Sequence, residues 1–344
     1  MRQIFGACVA IGMSALAIPA QAQTDAATFF KGKNVTIIAG SASGGGVDLY
    51  ARLIGRHLQK HIPGNPNIVV QNMPGAGSLA AAHNLYTVAP KDGTSIAAVP
   101  APALFDPLMA GEDLSKYDPR KFNYLGNANA DTLVCVVRKD APVQSYKELF
   151  DKELVVGGSG PGSALWYYPT MEKYVLGVKF KMIAGYKGSN ELSLALQRNE
   201  IQGVCGIFWS SARQQYPGLM TPNGDFKVIA QHDTRSIPAL KAAGVPVTID
   251  FAKTEQQKLA LSAFLAQGSL SRPFILPPGV AADRVALMRT SFNAVMKDPE
   301  LMAEAQKSGL DIDSETGDDV QKQVDKIYGT PKEILEYLRK GATP

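Results

Sequence analysis

Three short stretches of this chain place glycines where an anion can be held. Residues 40–48 read GSASGGGVD, residues 72–78 read NMPGAGS and residues 157–163 read GGSGPGS. Each follows an apolar run and precedes a helical pattern. A helix start presents amide N–H groups without an intrahelical acceptor and the positive end of the helix dipole. Glycine lets the backbone come close to an anion. Carboxylates and phosphates both suit such a seat. Any one of these loops is equally well read as a tight turn; three of the same form in one chain point to a ligand.

Other chemistry finds little support in the sequence. Gly40, Gly44 and Gly46 are spaced G-x-x-x-G-x-G rather than the G-x-G-x-x-G of a dinucleotide site, and the acidic residue expected about 20 positions on is absent. Gly157 to Pro161 has proline where a nucleophile elbow needs glycine. His57 and His61 are four apart on a predicted helix, but no glutamate follows His57, so the zinc-protease pattern fails. His83 and His232 have no evident serine or cysteine partner, and no carboxylate pair stands out. The expectation is a binding protein with no catalytic residue, no metal and no cofactor.

The elements that must position these loops read as alternating strands and helices. NVTIIA (34–39) is a buried strand, 47–61 a helix, NIVVQ (67–71) a second strand, 78–89 a helix and TSIAAV (94–99) a third strand. Residues 100–123, rich in proline and aspartate, read as irregular. Residues 122–142 begin a new set of strands, and 154–175 repeats the strand, glycine turn and helix of the opening. Strands at 180–183, 201–208, 226–230 and near Arg272 follow, with helices at 191–199, 282–297, 299–308 and 330–338. This is the pattern of an α/β fold with a largely parallel sheet, and two such lobes bring all three glycine loops around one cleft.

The 344 residues suit two domains or one large one. A 45% hydrophobic and 19% charged composition is globular, with enough apolar material for a core. The net charge of +4 is spread along the chain, and no window has the Lys/Arg density of a nucleic-acid or membrane-surface site. A basic MRQ start, the apolar IFGACVAIGMSALAI and the small-x-small Ala20-Gln21-Ala22 form the pattern of a secretory signal peptide, residues 1–22. Cys135 and Cys205 then remain, in apolar strand-like segments, either as buried free thiols or as a disulfide.

In order along the chain, these motifs resemble the extracytoplasmic solute receptors of the tripartite tricarboxylate transporter family, the Bug receptors. The family's P-G-G-x-x-D followed by A-R is similar to Ser43-Gly44-Gly45-Gly46-Val47-Asp48 with Ala51-Arg52. Its N-x-P-G-A-G-G matches Asn72 to Ser78, and its P-D-G-Y-T matches Pro90-Lys91-Asp92-Gly93-Thr94 with one inserted lysine. G-x-G-S matches Gly160 to Ser163, Y-K-G matches Tyr186 to Gly188, and A-P-A-G-T looks like Leu276 to Val280. The resemblance runs from about Phe29 to the end. Gly40-Ser41-Ala42-Ser43 stands where the family has proline and an aromatic, and Leu165-Trp166 where it often has histidine.

The resemblance implies an α/β, two-lobed, type II-like periplasmic-binding-protein fold that closes on a small organic anion. The expected lobes are 23–125 with 272–344, and 126–271. Carried over residue by residue, the carboxylate grip is Ser41, Ser43, Gly44, Gly45, Gly46 and Asp48 with Pro74, Gly75, Ala76, Gly77 and Ser78. Ser159, Gly162, Ser163 and Trp166 face them, and Trp209 and Ser210 stand at the far wall. Asp48 itself repels a carboxylate, so it is expected to accept from a water, from a ligand hydroxyl or amine, or from its own helix start. Lys187 is either a solvated loop lysine or the partner of a second carboxylate. The implied setting is the periplasm, with a monomeric receptor delivering its cargo to two membrane subunits and no nucleic acid involved. The alternative is an exported sensor or scavenger of the same fold without a transporter.

Overall fold

The computed structural model describes residues 26–342, apart from 112–113 and 115–116. The expected signal peptide lies outside the described residues. The chain lays down β1 (Asn34–Ala39), β2 (Asn67–Asn72), β3 (Ser95–Ala98) and β4 (Asn123–Asn127) in one sheet. It crosses to a second sheet for β5 (Leu133–Arg138), β6 (Leu154–Gly158), β7 (Phe180–Ala184), β8 (Gly203–Phe208) and β9 (Phe226–His232). It then returns to the first for β10 (Pro273–Leu276) and the two-residue β11 (Glu315–Thr316).

The sheet orders are β11-β4-β10-β3-β1-β2 and β7-β6-β8-β5-β9. With β11 set aside, they are one pattern used twice, each built around a strand supplied by the crossing chain. β1 pairs parallel with β2 and β3, as β6 does with β7 and β8. β5 and β10 run antiparallel to both of their neighbours. The expected parallel character therefore holds where helices join the strands and breaks at the crossings. The reason is directional. The parallel strands end at the cleft, so a chain that crosses the cleft starts its next strand there and must run away from it.

Helices cover both sheets. Gly46–Leu58 buries Leu53, Ile54 and Leu58 completely, each contributing on the order of 1.5–3 kcal/mol of transfer free energy. It lies so close to the sheet that a Cβ at Gly55 would stand 3.2 Å from Val70 Cγ2. This helix ends at Leu58 in a short 3₁₀ turn over Gln59–His61, earlier than the sequence suggested.

The irregular reading of 100–123 is corrected by the helix Ala101–Ala110. Pro102 lies in its first turn, where a missing N–H costs nothing, and Gly111 ends it at φ 72°. Burial of Ala101 through Met109 outweighs the interior Pro107. The C-terminal helix Lys332–Ala342 packs on this helix and also on Ala164–Leu176 and Glu255–Leu265 of the other sheet. Cys135 and Cys205 are partners across β5 and β8 and form a disulfide. No helix among the described residues is long and apolar enough to cross a membrane.

Candidate functional site

The loops leaving the carboxyl ends of β1, β2, β3, β6, β7 and β8 converge on one cavity of about 590 Å³. Open α/β sheets hold ligands at this end. Ser41, Gly45, Gly46, Pro74, Gly75, Ala76, Gly77 and Ser78 line it from the first sheet, and Ser159, Ser163 and Lys187 from the second. Backbone conformation explains the glycines at two of these positions. Gly75 has φ 148° and Gly77 φ 62°, with Ala76 between them at φ 42°, and all three line the cavity. The cavity is also lined by Pro100, Leu165, Tyr186, Ile207 and Phe208, an apolar share that suits a carbon skeleton.

Asp48 does not line the cavity. Its buried carboxylate accepts from Gly44 N (2.8 Å), Asn72 Nδ2 (2.7 Å) and Arg52 Nε, while its own N–H donates to Ser41 Oγ. Burial alone would raise its pKa; the Arg52 guanidinium, the Gly44 N–H and the Asn72 amide outweigh that and hold it below the ordinary value. Asp48 thus fixes the loop from behind. The helix N-cap is Gly45, without a side-chain bond. Ser159 Oγ donates to Ser163 Oγ (2.6 Å), and Ser163 caps its helix at Leu165 N.

The remaining expected residues sit around the cavity without lining it. A Cβ on Gly44 would meet Asn190 Nδ2 of the second lobe at 3.2 Å, and Asn190 Nδ2 donates to the carbonyl of the adjoining Ser43. Gly162 presses on Ala76 and Gly77. Trp166 is buried in the core shared by helices of both sheets. Trp209 packs on the apolar cluster of the second sheet, beneath the Arg213 guanidinium. Ser210 is buried and bonds Asp131 through both its N–H and its hydroxyl.

Sequence reasoning missed Arg272. It precedes β10, lines the cavity and is 3% exposed. Its guanidinium lies 4.2 Å from the Phe208 ring centroid and 5.0 Å from that of Tyr50. Nη2 donates to Ser211 Oγ (3.1 Å) and Nη1 to Ser271 O (2.9 Å), while Nε has no partner. Burial lowers its pKa against the opposing pull of Asp131. Burial likewise pushes Tyr50 up to about 12 despite Arg272. The available signal was a lone arginine at the head of the apolar run PFIL.

No family model matches the chain. A Cupriavidus necator protein described as the UPF0065 protein in the gbd 5′ region is 29% identical over 252 residues, 71% of this chain and 73% of that protein. The periplasmic binding protein BugD superposes with TM-score 0.70 at 20% identity, covering 90% of this chain and 97% of its own. MatC from Rhodopseudomonas palustris, solved with bound malate, gives TM-score 0.67 at 17% identity, over 90% of this chain and 99% of its own. An R. palustris protein solved with adipate gives 0.65 at 19%, over 89% and 97%. The chain has the two-lobed fold of the periplasmic binding proteins, and the resemblance to the Bug receptors carried by its glycine motifs is borne out by these relatives.

Proposed function

We propose that the protein is an exported solute receptor that captures a small organic anion, most simply a carboxylate, for a tripartite tricarboxylate-type transporter. The observation that carries this reading is the shared cavity, walled by glycine-rich loops from the carboxyl ends of both sheets. Loop amides at helix starts supply donors for a carboxylate, and the apolar wall receives the carbon chain. Malate and adipate, held by two structural relatives, are of this class.

In this reading residues 23–125 with 272–344, and 126–271, are lobes that open and close on the solute. A ligand that contacts both lobes favours the closed state by its differential affinity. The receptor acts as a monomer in the periplasm and passes cargo to two membrane subunits. The test is uptake of a labelled carboxylate by cells lacking the receptor gene, with and without the restored protein. Restored uptake, together with recovery of the solute chemically unchanged from the purified protein, supports the proposal. Conversion of the solute by the purified protein contradicts it.

A further inference from the structure

Arg272 is a buried cation at the cavity wall without a direct carboxylate partner among the described residues. Burying a charge is tolerated when it is paired and hydrogen-bonded. The nearby acids are engaged elsewhere. Asp48 is held by Arg52 and Asp311 by Arg213, while Asp131 attracts the guanidinium through space but takes its hydrogen bonds from Ser210. The guanidinium is flanked by the Phe208 and Tyr50 rings, its hydrogen bonds go only to hydroxyls and one carbonyl, and Nε has no hydrogen-bond partner.

Its position adds a second observation. A Cβ on Gly46 would lie 2.9 Å from Nη2, so the guanidinium stands against the first turn of the 13-residue helix Gly46–Leu58. Helix start and guanidinium therefore meet at one corner of the cavity, and both favour an anion. The other charged side chains among the described lining residues, Lys187 and Glu191, are exposed at the rim, and Glu191 Oε2 accepts from Lys187 N.

We propose that Arg272 reads the charge of the cargo: a carboxylate of the bound solute pairs with its guanidinium beside Gly46, while the glycine loops and the apolar wall hold the remainder. This rests on the receptor reading above and adds a specificity-determining residue to it. A ligand with its acid masked as an amide leaves the buried cation unpaired and binds weakly.

The probes are malate, adipate, hexanoate, benzoate and glutamate, each beside its amide, titrated calorimetrically into the wild type, R272K and R272Q. The expected result is a wild-type preference for acid over amide. R272Q should weaken the acid about 100-fold and bring the acid-to-amide ratio close to one, with R272K between them. An R272Q variant that loses acid and amide equally, or that binds the acid as before, overturns the assignment and leaves the receptor reading standing. Should R272Q not fold, a wild type that binds acid and amide alike overturns it as well. A wild type that binds none of the probes contradicts the receptor reading, and this assignment with it.

Discussion

Gly77 and Gly162 meet where the loops of the two sheets touch, beside the cavity, with no room for a side chain on either. A Cβ on Gly77 would lie 2.3 Å from the carbonyl carbon of Gly162, and one on Gly162 would lie 2.4 Å from Ala76 O. The two loops belong to different sheets, so this contact exists only while the lobes are together. Both residues also have positive φ, 62° and 81°, which alanine adopts at a cost of about 1 kcal/mol. Gly162→Ala should therefore fold but stay open. Its radius of gyration with ligand should match that of the ligand-free protein, and affinity should fall about tenfold or more. Closure and affinity equal to wild type would show that the contact is incidental.

Acid should destabilise the first lobe. Asp48 has a pKa below its ordinary 3.8, because the Arg52, Gly44 and Asn72 bonds overcome its burial. Asp298 is also lowered, by bonds from Lys60 and His61. A lowered carboxylate pKa means that the unfolded chain takes up protons first. The stability these groups confer is present above about pH 4 and is lost as pH falls through their folded-state values. Melting temperature should drop over that acid range. Asp48→Asn should be less stable near neutrality, with a shallower acid decline; an unchanged decline would remove Asp48 as a contributor.

Asp131 and Arg272 occupy matching places, one just before β5 and one just before β10, where the chain enters each sheet at the cleft. Burial raises the Asp131 pKa, while Arg272 and Ser210 pull it down. In the proposed reading of Arg272, a carboxylate ligand and Asp131 compete for the field of one guanidinium. Asp131→Asn should tighten carboxylate binding, about tenfold at an intermediate effective dielectric. Weaker binding in calorimetry would mean that Asp131 supports the site rather than opposes the ligand.

The Cys135–Cys205 bridge spans 70 residues of sequence. Closing a loop of that length in the unfolded chain stabilises the fold by about 4 kcal/mol in the entropy model. Denatured, unreduced mature protein should show no thiol by Ellman titration, and two after reduction. The double alanine variant should melt well below wild type. Two free thiols without reduction would contradict the bridge.

Much of the scaffold was legible because local pattern and tertiary demand agree. The apolar run at 34–39 is β1 to the residue, and the glycine loops fall where strands end and helices begin. The cavity also takes the 185–188 loop after β7, of which the Y-K-G motif gave only Lys187 as a candidate. The helix at 101–110 was hidden because its prolines oppose helix locally while burial supports it. Asp48 could be placed near the loop but not behind it, since its partner Asn72 arrives from β2. Arg272 was hidden for a related reason: what puts it in the cleft is the return of the chain between sheets, which no local window contains.

The most direct test of the receptor reading is a thermal-shift screen of the mature chain, unfolded and refolded to remove carried-over solute, against mono-, di- and tricarboxylates, aromatic acids and amino acids. The expected result is a marked rise in melting temperature with one class of carboxylate, since ligand at 100 times its dissociation constant adds about 2.7 kcal/mol, and no rise with the corresponding amides. A flat response across every carboxylate would contradict the receptor reading.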